Sequence, residues 1–403
     1  MHPAPPVDVD LAGLGFDAGA HVLVKTALAP LAPGDRVRVR GTHPDLVGQL
    51  GAWCRQQGHR LRTGGDDGRD VVVERGSAVG ARWIGAERAG GEDPSADGAV
   101  HGRPPAEWGL AARGAAIEPG GPAPHFALDR RDEVWSDRAA GLYAQAAGAQ
   151  WDPWSAIDWD TPVEHGPVIE SAVVQVMTFL VENEEAALVV PARFLGQVHP
   201  HFREIQQVLA VTVADEARHL EVFNRRILVS DQPPALSTVG GRASLQTLIE
   251  EPDFATASFL LSAMGEGTFV SLLGFLERHA PDPLTRRISQ LTRTDEARHV
   301  AFALGHLRRH AEIEPDLRSR LARAAERRHH ALRSTAGLNE DVFDALVLLA
   351  AGDTSPDAIA TGWQAVQSLQ ADMDEGRRSR LAHLGFSTGE AEEISSLHTR
   401  NFM

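Results

Sequence analysis

The chain has 403 residues, 43% of them hydrophobic, and a formal net charge of −16 at pH 7. This length suggests two or three domains with a sizeable core, and the acidic balance argues against nucleic acid as a partner. The single cysteine, Cys54, excludes a disulfide framework and is typical of a reducing cytosol. No apolar run reaches the roughly 18–20 residues that cross a membrane. We therefore expect a cytoplasmic protein without a membrane segment.

The first 82 residues are predicted to form a small α/β module. Alternating apolar and polar residues indicate strands, and apolar residues at helical spacing indicate helices between them. The strands are expected at 7–11, 36–40 and 71–74, and the helices at 17–31 and 44–58. The predicted order of elements is therefore β-α-β-α-β.

This module resembles the TusA-like sulfur carriers. The resemblance rests on the order of its elements, on Pro33-Gly34-Asp35 before the second strand and on Gly51-Ala-Trp-Cys54 in the second helix. Members of that family carry sulfur on the cysteine of a Cys-Pro pair just after the first strand. Residues 13–17, at the corresponding place, include neither cysteine nor proline. We therefore expect Cys54 to be a core residue, no persulfide chemistry, and a docking or packing role for the module.

Residues 83–104 are predicted to be a linker, because 85–98 are rich in glycine, proline, serine and aspartate and lack periodicity. The remainder, 105–403, is predicted to be helical, which gives a mainly α fold for the larger part of the chain. Thr161-Pro-Val-Glu164 has the pattern of a capping box with proline at the first helical position, so a long helix should begin there. The expected helices are 161–197, 201–228, 253–279 and 282–311, followed within 316–403 by 316–336, 339–351 and 356–385.

One motif, Asp-Glu-Ala-Arg-His, occurs twice, at 215–219 and at 295–299. Its glutamate and histidine are three residues apart, so both side chains project from one face of a helix. An anionic carboxylate among apolar neighbours is costly unless a cation neutralises it. A bundle that binds two metal ions takes such a pair from each of two helices and one further glutamate from each of two others. We therefore expect a dinuclear metal site with Glu216, His219, Glu296 and His299 as ligands.

The two remaining ligands should lie on the helices that precede the motifs. Glu266 is the only carboxylate in the middle of its segment and is predicted to be one of them. The first half of the bundle offers three candidates, Glu182, Glu184 and Glu185. When the halves are aligned through Pro200 and Pro281, Glu185 lies opposite Glu266. The alignment therefore selects Glu185 as the sixth ligand.

With its two motifs, each preceded by a helix that carries glutamate, the region of about 160–311 resembles the ferritin-like di-iron carboxylate superfamily. Trp151-Asp-Pro-Trp-Ser-Ala-Ile-Asp-Trp159, before the first long helix, is similar to a subgroup related to bacterial N-oxygenases. The resemblance implies two iron ions, with manganese able to replace one of them, and dioxygen as a co-substrate. It also implies a small organic substrate and an external electron donor. A homodimer is a further expectation for this protein.

Four further residues of the motifs have two interpretations. Asp215 and Asp295 are suited to accept the second imidazole N–H of a ligand histidine, which would fix its tautomer. Arg218 and Arg298 could pair with these aspartates. Ion pairing on the helix surface is the equally weighted alternative for all four.

Within this superfamily, substrate oxygenation is preferred to iron storage and to radical generation. Storage proteins are short bundles, and the only tyrosine, Tyr143, precedes all four ligand helices. In p-aminobenzoate N-oxygenase a further histidine ligand lies one turn before the second motif's glutamate, where this chain has Thr292. C–H hydroxylation and desaturation therefore stay open beside N-oxygenation of an amine. The alternative is a non-catalytic iron-binding or ferroxidase-type protein with an N-terminal docking module.

Overall fold

The computed structural model describes residues 7–63, 70–78, 83–332 and 340–397. The chain divides into two compact units, Met1–Asp93 with Ala111–Ala123 and Pro94–Leu110 with Pro124–Met403. The first unit is α/β and the second is mainly helical. The predicted fold class is confirmed.

The N-terminal unit is built on a four-stranded mixed sheet. Its strands are β1 (Val7–Asp10), β2 (Arg36–Arg40), β3 (Arg60–Thr63) and β4 (Asp70–Glu74), in the spatial order β1-β2-β4-β3. β1 is parallel to β2, and β4 is antiparallel to both of its neighbours. The connections from β1 to β2 and from β2 to β3 contain helices α1 (Ala20–Leu28) and α2 (Leu46–Gln57).

Two features of this unit were not predicted. The edge strand β3 contains a single apolar side chain, Leu61, so its sequence shows little alternation. A second, two-stranded sheet pairs β5 (Glu87–Arg88) with β6 (Ala116–Ile117), which extends the unit beyond the predicted boundary at residue 82. The relation to the sulfur carriers stays a prediction.

Cys54 lies in the core of the N-terminal unit, as expected. It is 1% exposed and belongs to the same apolar cluster as Leu50, Val39 and Val73. Burial raises the pKa of its thiol to about 11. Because the thiolate is the reactive form, this cysteine is placed to pack and not to react.

Long helices make up most of the second unit. Two short helices, α3 (Arg131–Val134) and α4 (Ala139–Gly148), precede α5 (Pro167–Leu195), α6 (Arg203–Val229) and α7 (Val239–Ile249). One continuous helical segment then joins α8 (Phe254–Ser258), a π-helical stretch (Phe259–Glu266) and α9 (Gly267–His279). The chain continues with α10 (Pro283–Ile313), α11 (Leu317–Leu332), α12 (Glu340–Ala351), α13 (Pro356–His383) and α14 (Thr388–Ser396).

The start of α5 differs from the prediction. The helix begins at Pro167 with Gly166 as its N-cap, so residues 161–164 lie outside it. Pro162, at the predicted start, and Pro167, at the observed start, both suit the first position of a helix, because that residue needs no N–H donor. The helix also runs through Pro191 and ends only at Leu195.

Four helical segments form the central bundle: α5, α6, the α8–π–α9 segment and α10. α5 packs along α6, α9 packs along α10, and α6 contacts α10. Their buried apolar side chains form two separate clusters. On α5, for example, one cluster ends at Leu180 and the other begins at Ala186. The same gap occurs on the other three segments, so a layer without apolar core residues crosses the bundle.

The segment Phe254–His279 is the one helix, among the described residues, that is long and apolar enough to cross a membrane by length and composition. In its most apolar window, 78% is buried inside the bundle. Its apolar character is accounted for by its central position in the fold.

Candidate metal centre

The layer between the two apolar clusters is filled by carboxylates and imidazoles. Each of the four bundle segments contributes, and none of the six side chains belongs to a residue more than 4% exposed. They are Glu184 on α5, Glu216 and His219 on α6, Glu266 at the end of the π-helical stretch, and Glu296 and His299 on α10. Five of these six residues were predicted as ligands from the sequence.

The six residues form two overlapping groups. Within each group the candidate ligand atoms lie within 4.8 Å of one another. One group is Glu184, Glu216, His219 and Glu296, and the other is Glu216, Glu266, Glu296 and His299. Because Glu216 and Glu296 belong to both groups, the arrangement is that of two adjacent cation sites joined by two shared carboxylates.

The sixth residue is Glu184, and the choice of Glu185 does not agree with the structure. Glu185 is exposed, whereas Glu184 is 2% exposed. Adjacent residues on a helix point about 100° apart, so only one of the two can face the bundle interior. Leu180 and Ala187, one turn before and one turn after Glu184, are buried on the same face. Apolar spacing alone does not select Glu184, because Val181 and Leu188 lie at the same spacing from Glu185.

The proline alignment failed because the two prolines are not equivalent. Pro200 begins a short 3₁₀ helix that precedes α6. Pro281 lies in the connection after α9, and Pro283 occupies the first position of α10. The loops of the two halves therefore differ in length, and counting backwards from the prolines places the helices out of register by one residue.

Both imidazoles direct the same ring nitrogen towards the carboxylates. Nδ1 of His219 lies 3.0 Å from Glu216 Oε2 and 3.5 Å from Glu184 Oε2. Nδ1 of His299 lies 3.0 Å from Glu216 Oε1 and 3.6 Å from Glu296 Oε2. The two Nδ1 atoms are therefore the candidate ligand atoms.

The other ring nitrogen of each histidine contacts the aspartate of the opposite motif. His219 Nε2 lies 3.2 Å from Asp295 Oδ2, and His299 Nε2 lies 3.2 Å from Asp215 Oδ2. An Nε2–H that donates to a carboxylate leaves Nδ1 as the lone-pair nitrogen. This placement is the one that the predicted role of the aspartates requires, except that each aspartate contacts the histidine of the other motif.

The two arginines of the motifs lie beside these aspartates. Arg218 pairs with Asp215 and lies 3.4 Å from Asp295. Arg298 pairs with Asp295 and lies 3.6 Å from Asp215. Their side chains are at most 12% exposed, so this is a buried network and not a helix-surface ion pair.

Two residues of this network come from the connection before α5. Trp151 Nε1 donates to Asp295 Oδ2 at 2.8 Å, and its ring stacks on that of His219 with 6.4 Å between centroids. Gln150 Nε2 donates to Asp215 Oδ1 at 3.2 Å. Sequence spacing gives no signal for these contacts, because a loop brings the residues to the helices.

Burial shifts the pKa values of carboxylates and imidazoles in this layer. Burial raises the pKa of Glu184 well above its usual range, and the charge of Glu216 adds to the effect. Burial likewise raises the pKa of Glu266, with a further contribution from Glu296. Burial alone would lower the pKa of His219. Its hydrogen bonds to carboxylates, of which that to Asp295 has the largest effect, raise the pKa well above its usual value. Four carboxylates in one buried layer are stable only when protons or bound cations neutralise them.

Buried oxygen atoms support the same conclusion. Both carboxylate oxygens of Glu296 and Oε1 of Glu184 accept no hydrogen bond of normal geometry within the described part of the chain. Most buried polar atoms in proteins have a partner, so unpaired oxygens on adjacent carboxylates are what a metal site requires. The residues therefore fit two metal ions.

Two small cavities adjoin the cluster. The first, of about 30 Å³, reaches Glu266 and His299. Its other lining residues are Val190, Pro191, Leu209, Thr212, Phe254, Ser258, Leu261, Ser262 and Phe302. The second, of about 20 Å³, reaches Glu184, Glu266 and Glu296 and includes Gly265 in its wall. Each has room for about one or two water molecules, so a larger molecule needs side-chain movement to enter.

Neither a family model nor a curated relative matches the chain. Solved structures to which the chain is similar include an R2-like ligand-binding oxidase from Sulfolobus acidocaldarius, at 16% identity and TM-score 0.41, covering 59% of this chain and 90% of that one. A protein with aldehyde deformylating oxidase activity from Synechococcus is 18% identical, with TM-score 0.40 and coverage of 57% and 96%. A variant R2-like ligand-binding oxidase with a reconstituted Mn/Fe cofactor is 15% identical, with TM-score 0.44 and coverage of 64% and 94%. At such low similarity, function must be inferred from this chain's own residues.

Proposed function

We propose that this protein is a dinuclear non-haem metal oxidoreductase that uses dioxygen to oxidise a small organic substrate. The observation that carries the proposal is the pair of four-residue groups that share Glu216 and Glu296. One metal would be held by Glu184 and His219, the other by Glu266 and His299, and the shared glutamates would join them. This is the ligand set of ferritin-like dinuclear carboxylate bundles.

Iron is the metal that suits these donors best. Carboxylate and imidazole ligands accommodate iron and manganese, and the absence of thiolates argues against a zinc or copper site of the sulfur type. Four carboxylates also balance the charge of two divalent ions. We therefore propose two iron ions, with one iron and one manganese as the second composition. Such a pair supplies the electrons that activate dioxygen.

The protein's own residues would fix the geometry of this centre. Asp295 and Asp215 hold the Nε2–H of His219 and His299, so that both rings present Nδ1 to the metal positions. Arg218 and Arg298 compensate the charge of the aspartates, and Trp151 fixes the orientation of Asp295. The two apolar clusters exclude water from both sides of the layer.

The reaction would be the insertion of one oxygen atom into the substrate. For a substrate RH the balance is RH + O₂ + two electrons + two protons, giving ROH and one water. An external reductant supplies the two electrons, and the second oxygen atom leaves as water. Hydroxylation and N-oxygenation share this balance.

The larger cavity indicates which part of a substrate can reach the metals. Apart from Glu266 and His299, its lining is apolar or carries hydroxyl groups, as at Thr212, Ser258 and Ser262. Because Glu266 would be committed to a metal ion, a cationic alkylammonium group would lose its hydration there without gaining a free counter-ion. An arylamine, which is neutral at pH 7, or an unactivated C–H group would meet no such cost. We therefore expect the reacting group to be uncharged.

Metal binding is tested with apoprotein reconstituted anaerobically with Fe(II). We expect about two irons per chain, as the six ligands require. Glu184→Ala should reduce the iron content, whereas the matched Glu185→Ala, one residue along the same helix and exposed, should leave it unchanged. The reverse pattern, or one iron per chain in the wild type, would contradict the proposed site.

Activity is tested by oxygen consumption with a chemical reductant and a panel of arylamines, alkylamines and carrier-bound acids. Substrate-dependent consumption with formation of an oxygenated product is expected, fastest for substrates with a neutral reacting group. Iron oxidation that no organic compound accelerates would favour the ferroxidase-type alternative instead.

A further inference from the structure

Buried arginines occur at three places in the described part of the helical unit: Arg298 in the network of the metal centre, Arg226 and Arg377. The guanidiniums of Arg298 and Arg226 donate to carboxylates, whereas that of Arg377 does not. Arg226 is fully buried, and its guanidinium donates to both oxygens of Glu170 at 2.7 and 2.9 Å. It also donates to Asp282 Oδ2 and to Thr285 Oγ1, each at 2.9 Å. Arg226 shows how this fold satisfies a permanent cation with its own residues.

Arg377 on α13 lacks such partners. It is 1% exposed, yet both Nη1 and Nη2 are buried without a hydrogen bond within the described residues. Its Nε donates to Ser395 Oγ at 3.1 Å. The carboxylate nearest to it, Asp374, lies 3.8 Å away and accepts instead from Ser395 and from Arg378.

Arg380, one turn further along α13, has the same deficit. Its Nε and Nη2 are buried without a hydrogen bond in the described part of the chain. Burial, with the neighbouring charge of Arg377, lowers the pKa of Arg380 to about 10. At neutral pH the two groups are therefore two adjacent, charged guanidiniums.

Two glycines make room for the side chain of Arg380. Residues three apart on a helix lie on the same face, and the side chain of Arg380 runs back over Gly376, whose Cβ would lie 3.0 Å from Nη1. On the other side it rests on Gly267 of α9, where a Cβ would lie 2.6 Å from Cζ. A side chain at Gly267 would occupy the place of the guanidinium, and one at Gly376 would crowd its Nη1, so both glycines define the position of the Arg380 side chain.

We propose that Arg377 and Arg380 form a binding site for a small oxyanion, where α13 packs against α9 and α14. Two guanidiniums present several N–H donors in planar forks, a geometry that matches the oxygens of a phosphate or a carboxylate. An oxyanion supplies the negative charge and the acceptors that Glu170 and Asp282 supply to Arg226. The site includes no metal ligand, although Gly267 directly follows Glu266, and the proposal does not rest on the proposed oxidase function.

The test measures thermal stability of the full-length protein against phosphate, acetate and succinate, each at constant ionic strength set with chloride. A bound anion raises Tm with a saturating concentration dependence. Saturation with phosphate alone assigns a phosphate site, and saturation with acetate or succinate alone assigns a carboxylate site. Isothermal titration with the same anions then gives Kd.

The variants separate this site from general electrostatics. Arg377→Gln and Arg380→Gln should each weaken the anion about tenfold or more, since a charge-assisted contact is lost. Gly267→Ala keeps both charges but displaces the guanidinium, and should weaken binding as well. Arg308→Gln, an exposed arginine of α10, is the matched control and should bind like the wild type. Shifts no larger than those with chloride, or equal binding in wild type and all variants, would overturn the proposal.

Discussion

Replacing Asp295 with asparagine tests whether the crossed aspartates orient the metal ligands. The carboxylate accepts from His219 Nε2 at 3.2 Å and from Trp151 Nε1 at 2.8 Å, and it pairs with Arg298. Although burial opposes it, the hydrogen bond with His219 lowers the pKa of Asp295 to about 2, so the group is ionised at neutral pH. Asparagine keeps the size of the side chain and removes the charge.

The expected magnitude follows from the contact that is lost. A hydrogen bond to a charged group contributes about 1.5–3 kcal/mol, and a residue that orients a metal-bound histidine typically contributes about 10–100-fold in metal affinity. We therefore expect Asp295→Asn to weaken metal binding by about 10–100-fold. Trp151→Phe removes one donor but keeps an aromatic ring beside His219, and should cost only a few-fold.

The assay is competition for Fe(II) between the apoprotein and a chromogenic chelator under anaerobic conditions. Asp158→Asn, the same change at an exposed aspartate, is the control. Circular dichroism of each apoprotein establishes that the helices are intact. If Asp295→Asn binds iron within twofold of the Asp158→Asn control, the aspartate does not orient the ligand and the reasoning is refuted.

Two further outcomes follow from the buried charges and the core thiol. Arg226→Ala should lower the free energy of unfolding by about 3–5 kcal/mol, because it leaves Glu170 and Asp282 buried without their cation. Burial alone would raise the pKa of Glu170 and Asp282, but the contacts with Arg226 lower it. The stabilisation from these carboxylates is therefore present above about pH 4 and is lost as pH falls through their lowered pKa values. Urea unfolding across this range should show a smaller pH-dependent loss of stability in Arg226→Ala than in the wild type. Cys54 should react with a thiol reagent at pH 8 only after denaturant is added, and fast labelling of the native protein would contradict its place in the core. Mass spectrometry after incubation with a sulfurtransferase should show no persulfide on Cys54.

Periodicity and motif spacing predicted the parts of this molecule that lie within single helices. The two Glu-x-x-His pairs could be placed because residues three apart must share a helical face. Glu266 could be placed because no other carboxylate competes with it in its segment. The choice between Glu184 and Glu185 depended instead on the lengths of two loops, which periodicity does not determine. Apolar neighbours did not decide it either, because Val181 and Leu188 flank Glu185 as Leu180 and Ala187 flank Glu184.

The remaining errors have a similar physical origin. The π-helical stretch Phe259–Glu266 is a local change in hydrogen bonding that alters the facing of residues within a helix. The spacing of apolar residues does not predict this π-helical stretch. The pairing of Glu87–Arg88 with Ala116–Ile117, like the approach of Trp151 to Asp295, joins residues far apart in sequence. Such contacts are set by tertiary packing.

The repeated motif gives the centre a symmetric interior, and the loop before α5 breaks that symmetry. Each histidine contacts the opposite aspartate at the same distance, and each arginine pairs with its own aspartate and approaches the other. Beyond this shell the two halves differ, since Asp295 accepts from an indole and Asp215 from the amide of Gln150. Only the His219 ring is covered by Trp151. Two positions with equal ligands but unequal surroundings hold their metals unequally, so Asp295→Asn and Asp215→Asn should differ in the iron that each variant loses first.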